Sequence, residues 1–183
     1  MFTDFSSLLG TTVLAANAIL LRLLSLASYA IDGIAFATES LVGIFRGGGR
    51  ADDLRRLSRL ALGSGLGFAA LFLTALFAAP GAVLGLLTSH PEVLAEARRA
   101  AVWLVPVLLA GSLAYVYDGL FLGLTAGRPL RNSMLVSTLL VFLPAAGIAM
   151  HLGSSPLLWL AMALFMAARA ATLAWASRPL LAG

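Results

Sequence analysis

Residues 11–47 read TTVLAANAILLRLLSLASYAIDGIAFATESLVGIFRG. The run is too apolar for a soluble amphipathic helix, yet it holds Arg22, Asp32 and Glu39. A charge at the centre of a span costs about 3 kcal/mol or more unless it faces protein or water, so charges kept there usually serve a function. At about 100° per residue, Ser25, Ser28, Asp32, Ala35 and Glu39 share one narrow stripe, while Leu20, Leu24, Ile31, Ile34 and Leu41 populate other faces. The stripe is expected to face a polar interior. Gly33 and Gly43 are points where such a helix could bend. A plainer reading of Asp32 and Glu39 is that they only fix helix packing through hydrogen bonds.

The whole chain of 183 residues shares this character, with 61% hydrophobic residues, 11% charged residues and a mean hydropathy of +0.99. Those values lie far outside the range of soluble domains and define an all-α, polytopic membrane protein. The formal net charge of +4 comes from arginine alone. These arginines fall in short segments between apolar runs, without interleaved aromatics, so they read as topology determinants rather than a nucleic-acid surface. No cysteine is present, which excludes disulfides, thiolate catalysis and cysteine-ligated metal. His90 and His151 lie beside turn residues and are expected to be exposed, so no metal site and no cofactor is expected. The opening MFTDFSSLLG has no basic n-region and no cleavage signal, and is too short to cross a bilayer.

Five spans are expected. The first lies within Thr11 to Gly47 and is long enough to tilt or to project from the bilayer. It runs into an arginine-rich loop, RGGGRADDLRRLSR, with Arg46, Arg50, Arg55, Arg56 and Arg59, which the positive-inside rule places in the cytoplasm. Asp52 or Asp53 could cap the helix that follows. The second span is expected from Leu60 to Leu87, with Gly63, Gly65 and Gly67 permitting close helix contact and Pro80 marking a kink or the interface. An amphipathic SHPEVLAEARR, in which Glu92 and Glu96 can pair with Arg98 and Arg99, leads to a third span from Ala100 to Leu124. That span carries Asp118, and Tyr115 three residues earlier is placed to hydrogen-bond it. GRPLRNS returns the chain to the positive side, a fourth span covers Met134 to Met150, and a fifth covers Leu157 to Trp175. Arg169, near the end of the fifth, is expected to snorkel to the cytoplasmic interface. The implied C-terminus is cytoplasmic.

LAANAILL, YAIDGIAFATESLVG, YVYDGLFLG and GRPLRNSM together resemble the DinF branch of the MATE (multidrug and toxic compound extrusion) transporters. The run from Val13 to Gly43 is similar to the eighth of that family's twelve helices, and the segment around Asp118 is similar to the tenth. The resemblance implies that residues 11–183 form a C-terminal MATE lobe, and that residues 1–10 are a remnant of the preceding transmembrane helix. The N-terminal lobe would then be supplied from the same gene upstream or by a separate chain. This chain is expected to be a fragment or split half that does not transport alone.

The resemblance further implies an antiporter of the bacterial cytoplasmic (inner) membrane in which H⁺ or Na⁺ drives export of small organic compounds. Asp118, with Tyr115 beside it, is the expected cation or proton site. Asp32, Glu39, Ser28, Ser25, Asn17 and Arg22 are expected to line the polar cavity. The expected partners are the lipid bilayer, the N-terminal lobe and the transported compounds, with no nucleic acid. Two other readings stand beside this one. One is an orphan membrane domain that binds or stabilises a partner. The other is an aspartyl intramembrane protease built on Asp32 and Asp118, which requires the two carboxyls to meet or to share one water.

Overall fold

The computed structural model describes the backbone of residues 11–182 and the side chains of residues 11–179. The expected remnant at residues 1–10 lies outside them. Thr11–Gly47 is one continuous helix, α1, unbroken at Gly33 or Gly43. At 1.5 Å per residue it is about 55 Å long, well beyond a hydrocarbon layer of about 30 Å. Its end is fixed by a Schellman motif: the Arg50 amide donates to the Phe45 carbonyl at 2.9 Å and the Gly49 amide to that of Arg46 at 3.2 Å. Gly49 takes φ +67°, which a residue without Cβ adopts freely.

Helix α2, Ala51–Ala78, begins nine residues earlier than the expected second span. The arginine-rich segment is therefore mostly helical, with a short turn at Gly48–Arg50. Hydropathy separates apolar from charged sequence, whereas Leu, Ala and Arg are all good helix formers and carry the helix past the hydrocarbon edge. Neither Asp52 nor Asp53 caps the helix. Both sit in its first turn, where Asp53 accepts from Arg50 Nε at 2.6 Å and Asp52 pairs with Arg55 at 3.1 Å. Of the three small-residue positions only Gly65 makes a close approach, with its Cβ direction 3.0 Å from Val116. Gly63 and Gly67 face open space.

A break at Ala79 separates α2 from a short α3, Pro80–Gly85. Helix α4, Pro91–Ala100, continues through a 3₁₀ turn at Ala101–Trp103 into α5, Leu104–Gly123, so that one span runs Pro91–Gly123. The 3₁₀ turn lies just ahead of Pro106, whose ring cannot donate to the helix ladder. The fourth span is compound: α6, Gly127–Val136, a π-helical stretch at Ser137–Phe142, and α7, Leu143–His151. Helix α8, Ser155–Ala182, is the fifth. Among the described residues, five helical segments are thus long and apolar enough to cross a membrane. Helices satisfy every interior backbone group within the segment, as a lipid environment demands.

Helix α5 is the centre of the bundle, with α1, α2 and α8 packed on it, and α8 joins this core to the α6–α7 span. The main core sets Leu104, Val107 and Leu108 of α5 against Leu20, Leu24, Ala27 and Ile31 of α1 and Trp159 of α8. Large apolar side chains such as Phe36, Leu71, Leu140 and Trp175 stand exposed on the outside, as a lipid-facing surface requires.

Candidate functional site around Asp118

Backbone approaches backbone most closely, among the described glycines, at Gly119 and Gly123. Gly119 and Gly123 lie one turn apart on α5, and a Cβ at Gly119 would stand 2.8 Å from the Ala35 carbonyl carbon and 3.0 Å from its Cα. At Gly123 it would stand 2.7 Å from Val42 Cβ. The two glycines form a small-xxx-small seam onto which Ala35 and Glu39 of α1, themselves one turn apart, are laid. This seam brings α1 against α5 beside Asp118. Asp32 stands one turn before Ala35 on the same helix.

From the other side, α8 delivers Arg169. Its Nη2 donates to both carboxylate oxygens of Asp118, at 2.7 Å to Oδ1 and 2.8 Å to Oδ2. The Arg169 side chain is 9% exposed and that of Asp118 24%, so the pair sits in a largely apolar setting where charge-assisted hydrogen bonds are strong. Arg169 therefore points inward and does not snorkel. Its two bonds to Asp118 and its burial hold it in the interior of the bundle. Alanines at 167, 168, 170 and 171 surround it and let neighbouring helices come close. Its backbone carbonyl accepts from Thr172 Oγ1 at 3.0 Å, and Thr172 meets Ser133 of α6 at 2.7 Å. Among the described residues, Arg169 Nε and Ser137 Oγ are buried without a hydrogen-bond partner.

Both Asp118 oxygens are engaged by Arg169, and Tyr115 instead packs against the apolar core. Asp32 and Glu39 are half-buried on α1, as is Ser28. Ser25 is exposed and donates to the Leu21 carbonyl at 2.9 Å. Arg22 and Ser25 line an open depression of about 500 Å³ with Tyr29 and Leu87. Tyr29 is a polar group that the sequence reading passed over. Asn17 is buried away from this depression, donating to Ser155 Oγ at 3.1 Å and accepting from Trp159 Nε1 at 2.9 Å. It ties α1 to α8. His90 and His151 are exposed.

The MatE family model matches residues 2–148. The chain is also 34% identical over 177 residues to DNA damage-inducible protein F of Escherichia coli (strain K12), an alignment covering 94% of this chain. It spans 37% of the length of that relative. The family match runs from α1 to α7 and contains the glycine seam and Asp118, and with the five-span bundle it shows that the chain belongs to the MATE family of multi-pass membrane transporters, similar to DinF.

Proposed function

We propose that this chain is a C-terminal MATE lobe, residues 11–183, that works with an N-terminal lobe in the bacterial inner membrane to export organic compounds against an inward flux of H⁺ or Na⁺. Asp118 is the coupling carboxylate, Arg169 its counter-ion in the empty state, and Asp32 a second acid acting on the same centre. The supporting observation is the Asp118–Arg169 pair, held at 2.7 Å inside an apolar bundle. Ionisable groups in such positions are costly and mark ion pathways.

Coupling requires that Asp118 prefer different partners in different states, because a ligand shifts an equilibrium only through differential affinity. A proton or Na⁺ arriving at Asp118 neutralises it and weakens its hold on Arg169. The freed guanidinium changes what α5 and α8 can form together, and so how this lobe meets its partner. The depression at Arg22, Ser25 and Tyr29 is the surface offered to the shared cavity.

The test joins this chain to the N-terminal half of the Escherichia coli relative and measures gradient-driven dye uptake into inverted vesicles, the direction that corresponds to export from the cell. Asp118→Asn is expected to abolish transport in vesicles matched for the amount of folded protein, and Asp32→Asn to reduce it. A chain that only stabilises a partner predicts no effect from either change. Full export by Asp118→Asn overturns the assignment.

A further inference from the structure

Between α6 and α8 lies a groove of about 290 Å³ whose lining includes Arg128, Asn132, Val136, Thr172 and Trp175. Arg128 belongs to the first turn of the fourth span, and Trp175 lies one turn before the end of the fifth, Ser155–Pro179. These helices run antiparallel, so both residues mark the same membrane face, where Trp and Arg are the usual interfacial anchors. From Arg128 to Val136 the groove follows α6 inward for about 12 Å. It passes from a cation to an apolar wall.

The charge around it is uncompensated. No Asp or Glu follows Asp118 in the chain, and Asp118 is committed to Arg169. Among the described residues neither Arg128 nor Arg131, three residues on, takes part in an ion pair. In the other positive segment Arg50 and Arg55 are paired with Asp53 and Asp52, whereas Arg46, Arg56 and Arg59 take part in no ion pair among the described residues. The start of α6 also lacks a side-chain cap, so its dipole adds to the positive field.

We propose that this groove binds an anionic phospholipid, with the phosphate against Arg128 and Asn132 and an acyl chain along Val136. Cation at the mouth, apolar wall inward and a tryptophan at the interface match the polarity profile of a lipid, and basic pockets between spans recognise anionic headgroups. A zwitterionic lipid presents a net charge of zero to the same arginines, and free phosphate leaves the apolar wall unused. The site rests on membrane embedding and not on the transport reading.

The experiment is native mass spectrometry of the delipidated full chain in detergent, titrated with phosphatidylglycerol and, separately, phosphatidylcholine. Phosphatidylglycerol is expected to bind at least fivefold more tightly. Arg128→Gln should weaken it about fivefold, the loss of one arginine near a lipid phosphate, while Arg56→Gln on the other positive turn leaves it unchanged. Val136→Trp, which fills the groove and leaves every charge in place, should also displace the lipid. Equal binding of the two lipids, equal effects of Arg128→Gln and Arg56→Gln, or competition by inorganic phosphate at matching concentration would each overturn the proposal.

Discussion

Replacing Arg169 by methionine leaves the Asp118 carboxylate without its cation in a bundle that offers it little water. Two unit charges about 4 Å apart at an effective dielectric near 20 attract by about 4 kcal/mol, before the cost of desolvating them. Removing one member of a buried pair costs about 3–5 kcal/mol, chiefly because the other is left uncompensated. Asp118 retains 24% exposure, which places the expected loss at the lower end, about 3 kcal/mol. Asp118→Leu should cost a similar amount by stranding Arg169, whose Nε already lacks a partner among the described residues. The double variant Arg169→Met/Asp118→Leu removes both charges and should lie within about 1 kcal/mol of the parent chain, because apolar replacements of similar volume substitute well for buried pairs. Reversible unfolding in mixed micelles, followed by tryptophan fluorescence, gives the three values and their coupling. Single costs that simply add in the double variant would refute the claim that these residues act as a pair.

Three further outcomes are expected. Gly119→Ala drives a methyl into the Ala35 backbone and should cost about 1–3 kcal/mol or more in the same unfolding assay, whereas Gly63→Ala, which meets open space, should be neutral or slightly stabilising. Thr125 closes α5 at φ 55°, a conformation that disfavours a β-branched residue, so Thr125→Gly should stabilise the chain by about 1 kcal/mol, and a loss of stability would contradict the strain. The positive-inside topology predicts that a cysteine at Gly48 in intact cells is protected from a membrane-impermeant maleimide while one at Gly153 is labelled; the reverse pattern would invert the orientation.

The spans were legible because a bilayer of fixed thickness imposes a minimum apolar length: the first is expected within Thr11 to Gly47, and α1 fills that whole run. Span ends were less so. The start of α2 moved from Leu60 to Ala51 because a helix does not stop where hydrophobicity does. Asp118 stood out as an acid in a span, but its partner did not. A single arginine in AMALFMAARAATLAW is averaged away by a hydropathy window, and its partner Asp118 lies 51 residues earlier on another helix. The Gly119/Gly123 spacing is visible in YVYDGLFLG but does not by itself mark a seam, since which face of α5 meets α1 depends on partners 84 residues away, Ala35 and Glu39. Asn17 looked like a cavity residue for a related reason: its hydrogen-bond partners, Ser155 and Trp159, come from the far end of the chain.

The π-helical stretch at Ser137–Phe142 bears on how this span can change over evolution. Such a stretch is an α-helix that has absorbed one extra residue in a widened turn. Deleting one residue inside it would restore ordinary α-helix and keep both flanks in phase, with Ser133 still opposite Thr172 on one side and Ala146 and Ala149 still facing α8 on the other. The same deletion within α6 or α7 would swing one flank by about 100° and turn its contacts to the lipid. Insertions and deletions in this span among relatives should therefore collect between residues 137 and 142, the one stretch where the length of the chain can drift without rewriting the interface on either side.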